Sequence, residues 1–322
     1  MNGDHGLIPA VASAHRAVLR RLATPRERVG PLQRFVRAAM LLPVFGSMFA
    51  LMRLTALVRG PVEVSATTGF GAQLPCRLPD LIQTYLYLFG VWEPDITAFI
   101  ARRLEAGRTF VDVGANIGYH TLLAAHKGAR VVAIEASPRI FRTLKQNVDR
   151  NGSSSVRVVN KAVSDRAGTC SIYQGPVQNI GLSTTLRRRG FATEAEVEAA
   201  PLSDLLEADE IRTTQMLKID VEGDEDAVLR GMDRFIEAAP GDIEILVELS
   251  PKWWRDQTQT PGDVLRPLTN AGFNVYAIPN NLWPWRYLWA NDVRPPTRVR
   301  EPLTRRVKRL DLVLSRADRE TL

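Results

Sequence analysis

From about residue 89 onward, apolar and polar positions follow a regular rhythm. Short unbroken apolar runs recur as FVDVG (110–114), VVAIE (131–135), VRVVN (156–160), MLKID (216–220) and IEILVE (243–248), each closed by turn-forming or polar residues. Runs without alternation suit strands covered on both faces, as in a parallel sheet. Between several of them lie segments with helical spacing, from Gly118 to His126, Arg139 to Asn151 and Glu225 to Ile236. Ahead of them, WEPDITAFIARRLEAG sets Trp92, Ile96, Phe99, Ile100 and Leu104 on one helical face and is stopped by Gly107. Strand, helix, strand in repetition predicts a doubly wound α/β sheet. After residue 270 the pattern changes, and FNVYAI (273–278) and RLDLVLS (309–315) alternate like the two arms of an antiparallel hairpin. A long Trp-rich insertion separates those arms.

The first 88 residues read as a basic and apolar extension before the α/β domain of residues 89–322. Residues 15–37 are rich in arginine, and AAMLLPVFGSMFALM then runs from Ala38 to Met52 without a charge until Arg53 interrupts it. That stretch is shorter than the roughly 20 residues a spanning helix needs. Pro43 and Gly46 are expected to break a helix there. Three readings stay open for residues 38–58: a membrane-surface or hairpin segment, a helix packed on the enzyme core, or a true span with Arg53 reaching back to the interface. A cleaved signal is not expected, because the apolar run starts late and no small-residue cleavage site follows it.

Composition changes this picture in two respects. At 322 residues, 45% hydrophobic, the chain is large enough for a full core, and its two cysteines, Cys76 and Cys170, suggest neither a disulfide framework nor a zinc site, which fits a reducing compartment. Charge is uneven, with +7 in residues 1–60 and +5 in 294–322, so the overall +7 leaves −5 for the middle. A slightly acidic centre with basic ends argues against a nucleic-acid channel through the site and for an anionic surface met by the ends.

The candidate chemistry starts in TFVDVGANIGYHT (109–121), a strand turning into a helix. In a doubly wound sheet such a turn sits at the strand's carboxyl end, where ligands bind, and it offers backbone amides and the positive end of a helix. Gly114 and Gly118 permit close approach, and Asn116 tolerates positive φ. The spacing is neither the G-x-G-x-x-G of a dinucleotide site nor a phosphate loop. Asp112, inside the strand end, would repel pyrophosphate and could hold an amino group. Glu135, 21 residues after Gly114, stands where a strand-end carboxylate takes ribose hydroxyls. A ligand with a ribose, an amino group and no phosphates is therefore expected, which S-adenosylmethionine satisfies and NAD does not.

Taken together, FVDVGANIGYHT, VVAIEASP, KAVSD, GLSTTL, PLSDLL, LKIDVEGDEDAVLRGM and ILVEL resemble the FkbM-type family of S-adenosylmethionine-dependent methyltransferases from about Glu93 to Glu248. The resemblance implies the class I methyltransferase (Rossmann-like) fold, a doubly wound seven-stranded sheet with an antiparallel last strand. It also implies that Asp112, Gly114, Ala115, Asn116 and Gly118 line the methionine half of the cofactor and Glu135 its ribose. Two departures from the family pattern stand out, Ala136 in AIEAS where proline is usual and Ser203 in PLSDLL where Thr-Leu-Asp is more usual.

Methyl transfer to a hydroxyl needs positioning and gains from a base. Lys218, Asp220 and Glu222 alternate at the end of the fourth strand, expected next to the first, and should converge on the cavity mouth. Asp220 is the first choice for base, Glu222 shares the role, and His120 is a candidate proton shuttle. The two carboxylates could also hold a divalent cation, for which nothing else speaks. Alternatively, Lys218 and Glu222 form an ion pair that fixes the turn, and Glu93 and Glu248 form a second rank of acids. Two segments are expected to read substrate, 175–190 and 280–296, the latter carrying Trp283, Trp285, Arg286, Tyr287 and Trp289. The resulting expectation is O-methylation of a sugar or other hydroxyl on a glycolipid or lipid-linked glycan at the cytoplasmic membrane face. The alternatives are a soluble O-methyltransferase of small-molecule metabolites and a non-catalytic cofactor-binding scaffold. No nucleic-acid partner is expected, and the sequence leaves the oligomeric state open.

Overall fold

A computed structural model describes residues 31–175, 184–186, 191–288, 293–303 and 307–322. The chain divides into two compact units, one of residues up to Ala98 together with 280–293, the other of Phe99–Pro279 and 294–322.

In the first unit, helix α1 (Pro31–Arg59) precedes an antiparallel hairpin of β1 (Val62–Thr67) and β2 (Gln73–Leu78) and then helix α2 (Leu81–Phe89). Asp80 caps α2 by accepting from the Gln83 amide, and Gly90 ends it in the left-handed conformation, so both ends of the helix have the expected caps. Phe45 of α1 packs on Tyr85 and Phe89 at ring distances of 5.7 and 6.2 Å. Pro43 and Gly46 do not break α1, contrary to expectation. A proline inside a helix costs about 3 kcal/mol. Burial of Leu41, Met48 and Met52 along one stripe, worth roughly 1.5–3 kcal/mol per side chain, offsets it. The opposite face is apolar and uncovered: Leu32, Phe35, Leu54, Leu57 and Val58 are all exposed.

The Trp-rich segment folds into a short helix, Pro284–Leu288, in the same unit. Tyr287, offered by the sequence as a stacking surface, is buried against Tyr85 and Phe89, and Arg286 pairs with buried Asp95. Both residues serve packing. Trp283 is 60% exposed, the Trp285 side chain is not described, and Trp289 lies outside the described residues.

Helix α3 (Pro94–Arg103), over which the division between units falls, leads into the large sheet. Strands β3 (Thr109–Val113), β4 (Arg130–Ile134) and β5 (Val156–Val159) alternate with helices α4 (Tyr119–His126) and α5 (Pro138–Arg150). Next come β6 (Ala162–Val163), β7 (Gly168–Gln174) and β8 (Ala192–Ala200), then short helices α6 (Leu202–Leu205) and α7 (Ala208–Thr213) before β9 (Thr214–Ile219). Helices α8 (Glu225–Arg230) and α9 (Asp233–Ala238) precede β10 (Glu244–Leu249), and α10 (Pro261–Asn270) precedes β11 (Asn274–Ala277). Strands β12 (Thr297–Arg298) and β13 (Leu310–Ser315) complete the chain.

The sheet order is β12-β11-β13-β10-β9-β3-β4-β5. Strands β10, β9, β3, β4 and β5 are mutually parallel, and β13 inserts antiparallel between β10 and β11. This is the expected seven-stranded sheet, with the two-residue β12 added at its edge. All seven apolar runs in the sequence fall on these strands. Val111, Val113, Leu217, Ile219, Ile245 and Val247 form its core.

Two features differ from expectation. The helix expected from Glu225 to Ile236 is two helices, because Gly231 lies against the Ser164 carbonyl, where a Cβ would come within 2.4 Å of the oxygen. The chain must turn to make that approach. A second, three-stranded sheet, β6-β8-β7, escapes the sequence pattern. Its long strand ATEAEVEAA alternates small and acidic residues and exposes most of one face, so it lacks a strong apolar signal. Ala136, one of the departures from the family pattern, packs against its small cluster of Ala162, Ile172, Val197 and Ala199.

Candidate active site

The parallel register sets Asp112 beside Lys218 and Val113 beside Ile219, so the carboxyl ends of β3 and β9 lie next to each other. The chain after β9 returns across β3, with the Asp220 amide donating to the Val113 carbonyl at 3.0 Å. Asn116 (φ 53°) adopts the positive φ that its side chain tolerates, and Gly114 (φ 79°) and Gly118 (φ 90°) share that left-handed region.

The corner differs from expectation in its amides. Those of Gly114 and Ala115 both donate to the Ile134 carbonyl, that of Asn116 to Glu135 Oε2 at 2.9 Å, that of Ile117 to Asn116 Oδ1, and that of Gly118 to the Ala115 carbonyl. The turn therefore spends its donors internally and offers no amide nest for phosphate. What it presents is acceptors. Asp112 is buried, with Oδ2 accepting from Thr121 Oγ1 at 2.7 Å and Oδ1 without a hydrogen-bond partner among the described residues. Burial raises its carboxyl pKa, opposed by Lys218 and by the Thr121 bond. A buried acceptor left open calls for a donor.

Glu135 stands at the end of β4 and accepts from the amides of Asn116 and Ser137, each at 2.9 Å. Burial pushes its carboxyl up to about 7, against those two bonds and helped by the nearby charges of Glu194 and Asp112. Glu194, which no sequence pattern singles out, reaches in from β8 and accepts from Ser137 Oγ at 2.7 Å and the Arg139 amide at 3.0 Å. It thus holds the start of α5 beside Glu135.

The second half of the site gathers three carboxylates. One oxygen each of Asp220, Glu222 and Glu248 lies within 4.8 Å of the others. Asp220 and Glu222 converge as expected, but through a turn: β9 ends at Ile219 and Glu222 has φ 52°. Lys218 donates to Asp220 Oδ2 at 2.8 Å, and this is its observed ion pair. Glu248, placed by the sequence in an outer rank, joins this cluster and pairs with Arg309 of the β13 arm at 2.9 Å. Burial, then the charge of Asp220, raises the Glu248 carboxyl well above the ordinary value, with Arg309 opposing. Arg309 is shared, since it also donates to Asp311 Oδ1 at 2.7 Å, so the acids around this cluster draw on two cations, Lys218 and Arg309. Glu93 belongs to the other unit, where it accepts from Asn280 Nδ2 at 2.7 Å.

His120, in the first turn of α4, is buried, with its ring 5.1 Å from that of Tyr119 in edge-on contact. Burial and the charge of Lys218 hold its pKa well below the ordinary value, so the imidazole is neutral. Beneath the acid turn, Glu225 accepts from the Gly223 amide at 2.7 Å and from Trp254 Nε1 at 2.8 Å. The sequence reading missed this brace, whose signal lay in the paired Trp253 and Trp254 just past β10.

The sequence model of the methyltransferase FkbM domain family matches residues 112–275, which begin at the Asp112 corner and end in β11. Among curated proteins, the chain is 28% identical over 201 residues to the hexuronic acid methyltransferase AglP of Haloferax volcanii, covering 62% of this chain and 80% of that one. It is 31% identical over 206 residues to the 31-O-demethyl-FK506 methyltransferase FkbM of Streptomyces tacrolimicus, covering 54% and 75%.

Proposed function

The chain belongs to the FkbM methyltransferase family, and from that premise we propose that it is an S-adenosylmethionine-dependent O-methyltransferase acting on a sugar or other hydroxyl of a glycolipid or lipid-linked glycan. The observation that carries the cofactor assignment is the corner itself. Its amides are committed and its open group is a buried carboxylate oxygen, Asp112 Oδ1, which suits an ammonium and not a phosphate. Asp112, Gly114, Ala115, Asn116 and Gly118 would hold the methionine half, and Glu135 would accept from ribose hydroxyls. The cofactor supplies the methyl group.

Everything else falls to the chain's own side chains. Asp220 is the base that takes the acceptor's proton, and Lys218 fixes one of its oxygens so that the other faces the substrate. Glu222 and Glu248 orient the acceptor by receiving its neighbouring hydroxyls. His120, neutral and beside Lys218, passes a proton but supplies no positive charge. Most of the rate gain then comes from alignment and exclusion of water.

A sugar acceptor is supported by the relative named for hexuronic acid, and an oxygen acceptor by the one named for an O-demethyl substrate. The membrane part of the proposal rests on α1. Residues Ala39–Arg59 are long and apolar enough to cross a bilayer, and most of that stretch is not buried in the fold. We place the enzyme at the cytoplasmic face, where thiols such as Cys76 and Cys170 persist. A small-molecule acceptor is the second reading, favoured by the FK506-directed relative.

Calorimetric titration with S-adenosylhomocysteine tests the core of the proposal. Micromolar binding by the wild type, weakened at least tenfold (about 1.4 kcal/mol) by Asp112→Ala and by Glu135→Ala, is expected. A folded protein that does not bind it overturns the assignment.

A further inference from the structure

Beside the acid cluster, at the carboxyl ends of β9 and β10, a cavity of about 560 Å³ opens between the second sheet and the loop after β10. That volume lies in the range of small-molecule sites, roughly 300–1,000 Å³. Its walls are Tyr173, Thr185, Lys252, Trp253 and Arg255 among others, and none of the described lining residues is an acid. This contrasts with the adjoining cavity, which shares Tyr173, Thr185 and Arg255 but also contains Asp165, Asp224 and Asp226.

Both walls are tied to the catalytic turn. Thr184 Oγ1 donates to the Glu222 carbonyl at 2.9 Å, and Thr185 Oγ1 donates to Asp224 Oδ2 at 2.5 Å. On the other side, Trp254 is fixed through Glu225 to the Gly223 amide. The residues that line the groove therefore hang on the segment that carries Asp220 and Glu222. The Trp253 ring is 38% exposed, with the Lys252 ammonium 4.7 Å from its centroid. Arg255 is 69% exposed, and the Asp224 oxygen it faces is 3.8 Å away, too far for a hydrogen bond.

We propose that this groove binds the acidic sugar of the acceptor, with Lys252 and Arg255 on its carboxylate and Trp253 stacked on its ring. The proposal rests on the sugar O-methyltransferase reading above and narrows it to a uronate-type residue. The charge layout supplies the orientation. Lys252 and Arg255 draw the carboxylate into the groove, whose described lining holds no acid, which leaves the hydroxyls remote from it to face Asp220. The aromatic face adds affinity without charge, as it does for sugars generally.

The test compares p-nitrophenyl glucuronide with p-nitrophenyl glucoside, two probes that differ in the carboxylate. Binding to full-length protein saturated with S-adenosylhomocysteine is measured at low salt, and methyl transfer is followed with labelled S-adenosylmethionine. The expected result is at least fivefold preference for the glucuronide, abolished in Lys252→Ala/Arg255→Ala and retained in Lys252→Arg/Arg255→Lys. Trp253→Ala should weaken both probes, and every variant should bind S-adenosylhomocysteine as the wild type does, which certifies its fold. Glycosides bound or methylated without preference, or with a preference that survives the double substitution, would overturn the groove assignment and leave the sugar reading standing. Failure of the wild type to bind or methylate either glycoside while it binds S-adenosylhomocysteine would overturn the sugar reading itself, and the groove assignment with it.

Discussion

The α-carbon of Gly114 faces the carbonyl of Asp220 so closely that a Cβ at residue 114 would lie 1.9 Å from that oxygen and 2.8 Å from its carbon. The Asp112 corner and the acid turn are thereby locked together, since the Asp220 amide also reaches back to Val113. Gly114 combines this contact with φ 79°, a conformation costing an L-residue roughly 1–2 kcal/mol. Gly114→Ala should lower the melting temperature by at least about 4 °C, on a scale of roughly 2–4 °C per kcal/mol. It should also weaken S-adenosylhomocysteine binding more than tenfold. Unchanged melting by scanning calorimetry would mean that the two turns are not so coupled.

Glu135 gives the ligand-free protein a definite pH response. Its folded pKa, about 7, lies above the ordinary carboxylate value of 4.5, so the folded state binds more protons between those limits. Stability is therefore greatest at the acid end of that window and falls as pH rises through it, by an amount on the order of 3 kcal/mol. Glu135→Gln should flatten the curve of melting temperature against pH from about 5 to 7. Ribose hydroxyls that donate to Glu135 favour its ionised form, so S-adenosylhomocysteine affinity should rise with pH through 7 and binding should release a proton. Binding heats that are the same in phosphate and Tris buffers would contradict this.

Asp220→Asn keeps the shape of the side chain proposed as base and removes its basicity. The expected loss in kcat is about 10²–10⁴, with S-adenosylhomocysteine affinity within about threefold of wild type. An equal loss in cofactor affinity would reassign Asp220 to cofactor binding.

Glu225 is a positioning residue. Its two oxygens receive the Gly223 amide and Trp254 Nε1, and burial pushes its carboxyl up to about 8. Glu225→Gln leaves one of those donors facing an amide nitrogen, at a cost of about 1–3 kcal/mol. Being raised, the Glu225 pKa costs stability as pH climbs from 4.5 to about 8, and the Gln variant should lose that part of the slope. Acceptor KM should rise more than kcat falls, because the brace bonds the groove wall at Trp254 directly and reaches Asp220 only through the turn at Gly223.

What was legible in the sequence is what one strand or one turn decides. The unbroken apolar runs located β3, β4, β9 and β10 because these strands are buried on both faces, and the alternation in FNVYAI and RLDLVLS marked the antiparallel arms realised in the pairing of β11 with β13. Asn116 announced its positive φ. What was not legible depends on distant segments meeting. Glu248 joins Asp220 only because β10 pairs with β9, and Glu194 reaches Ser137 only because β8 folds over the start of α5. The corner amides looked open in sequence because their acceptor, the Ile134 carbonyl, lies on the next strand. Pro43 misled in the opposite direction, since local propensity yields to a buried stripe.

That same helix carries the last prediction. Helix α1 contains Arg34, Arg37, Arg53 and Arg59 and no acid, with the charges toward its ends and an apolar centre. Leu54 and Leu57 are 60% and 83% exposed, and the Arg53 guanidinium folds over the Phe49 ring at 4.9 Å. Each such side chain gains roughly 1.5–3 kcal/mol on burial, and each arginine about 1 kcal/mol near an anionic lipid surface. Full-length protein should therefore sediment with phosphatidylglycerol vesicles more than with phosphatidylcholine vesicles. Leu54→Glu/Leu57→Glu should cut that binding at least tenfold and leave the melting temperature in buffer within about 1 °C, because neither side chain is buried in the fold. Release from anionic vesicles by high salt or carbonate would place α1 on the surface, and release only by detergent would make it a span. Wild-type protein that sediments with neither vesicle would remove the lipid contact and favour the small-molecule acceptor.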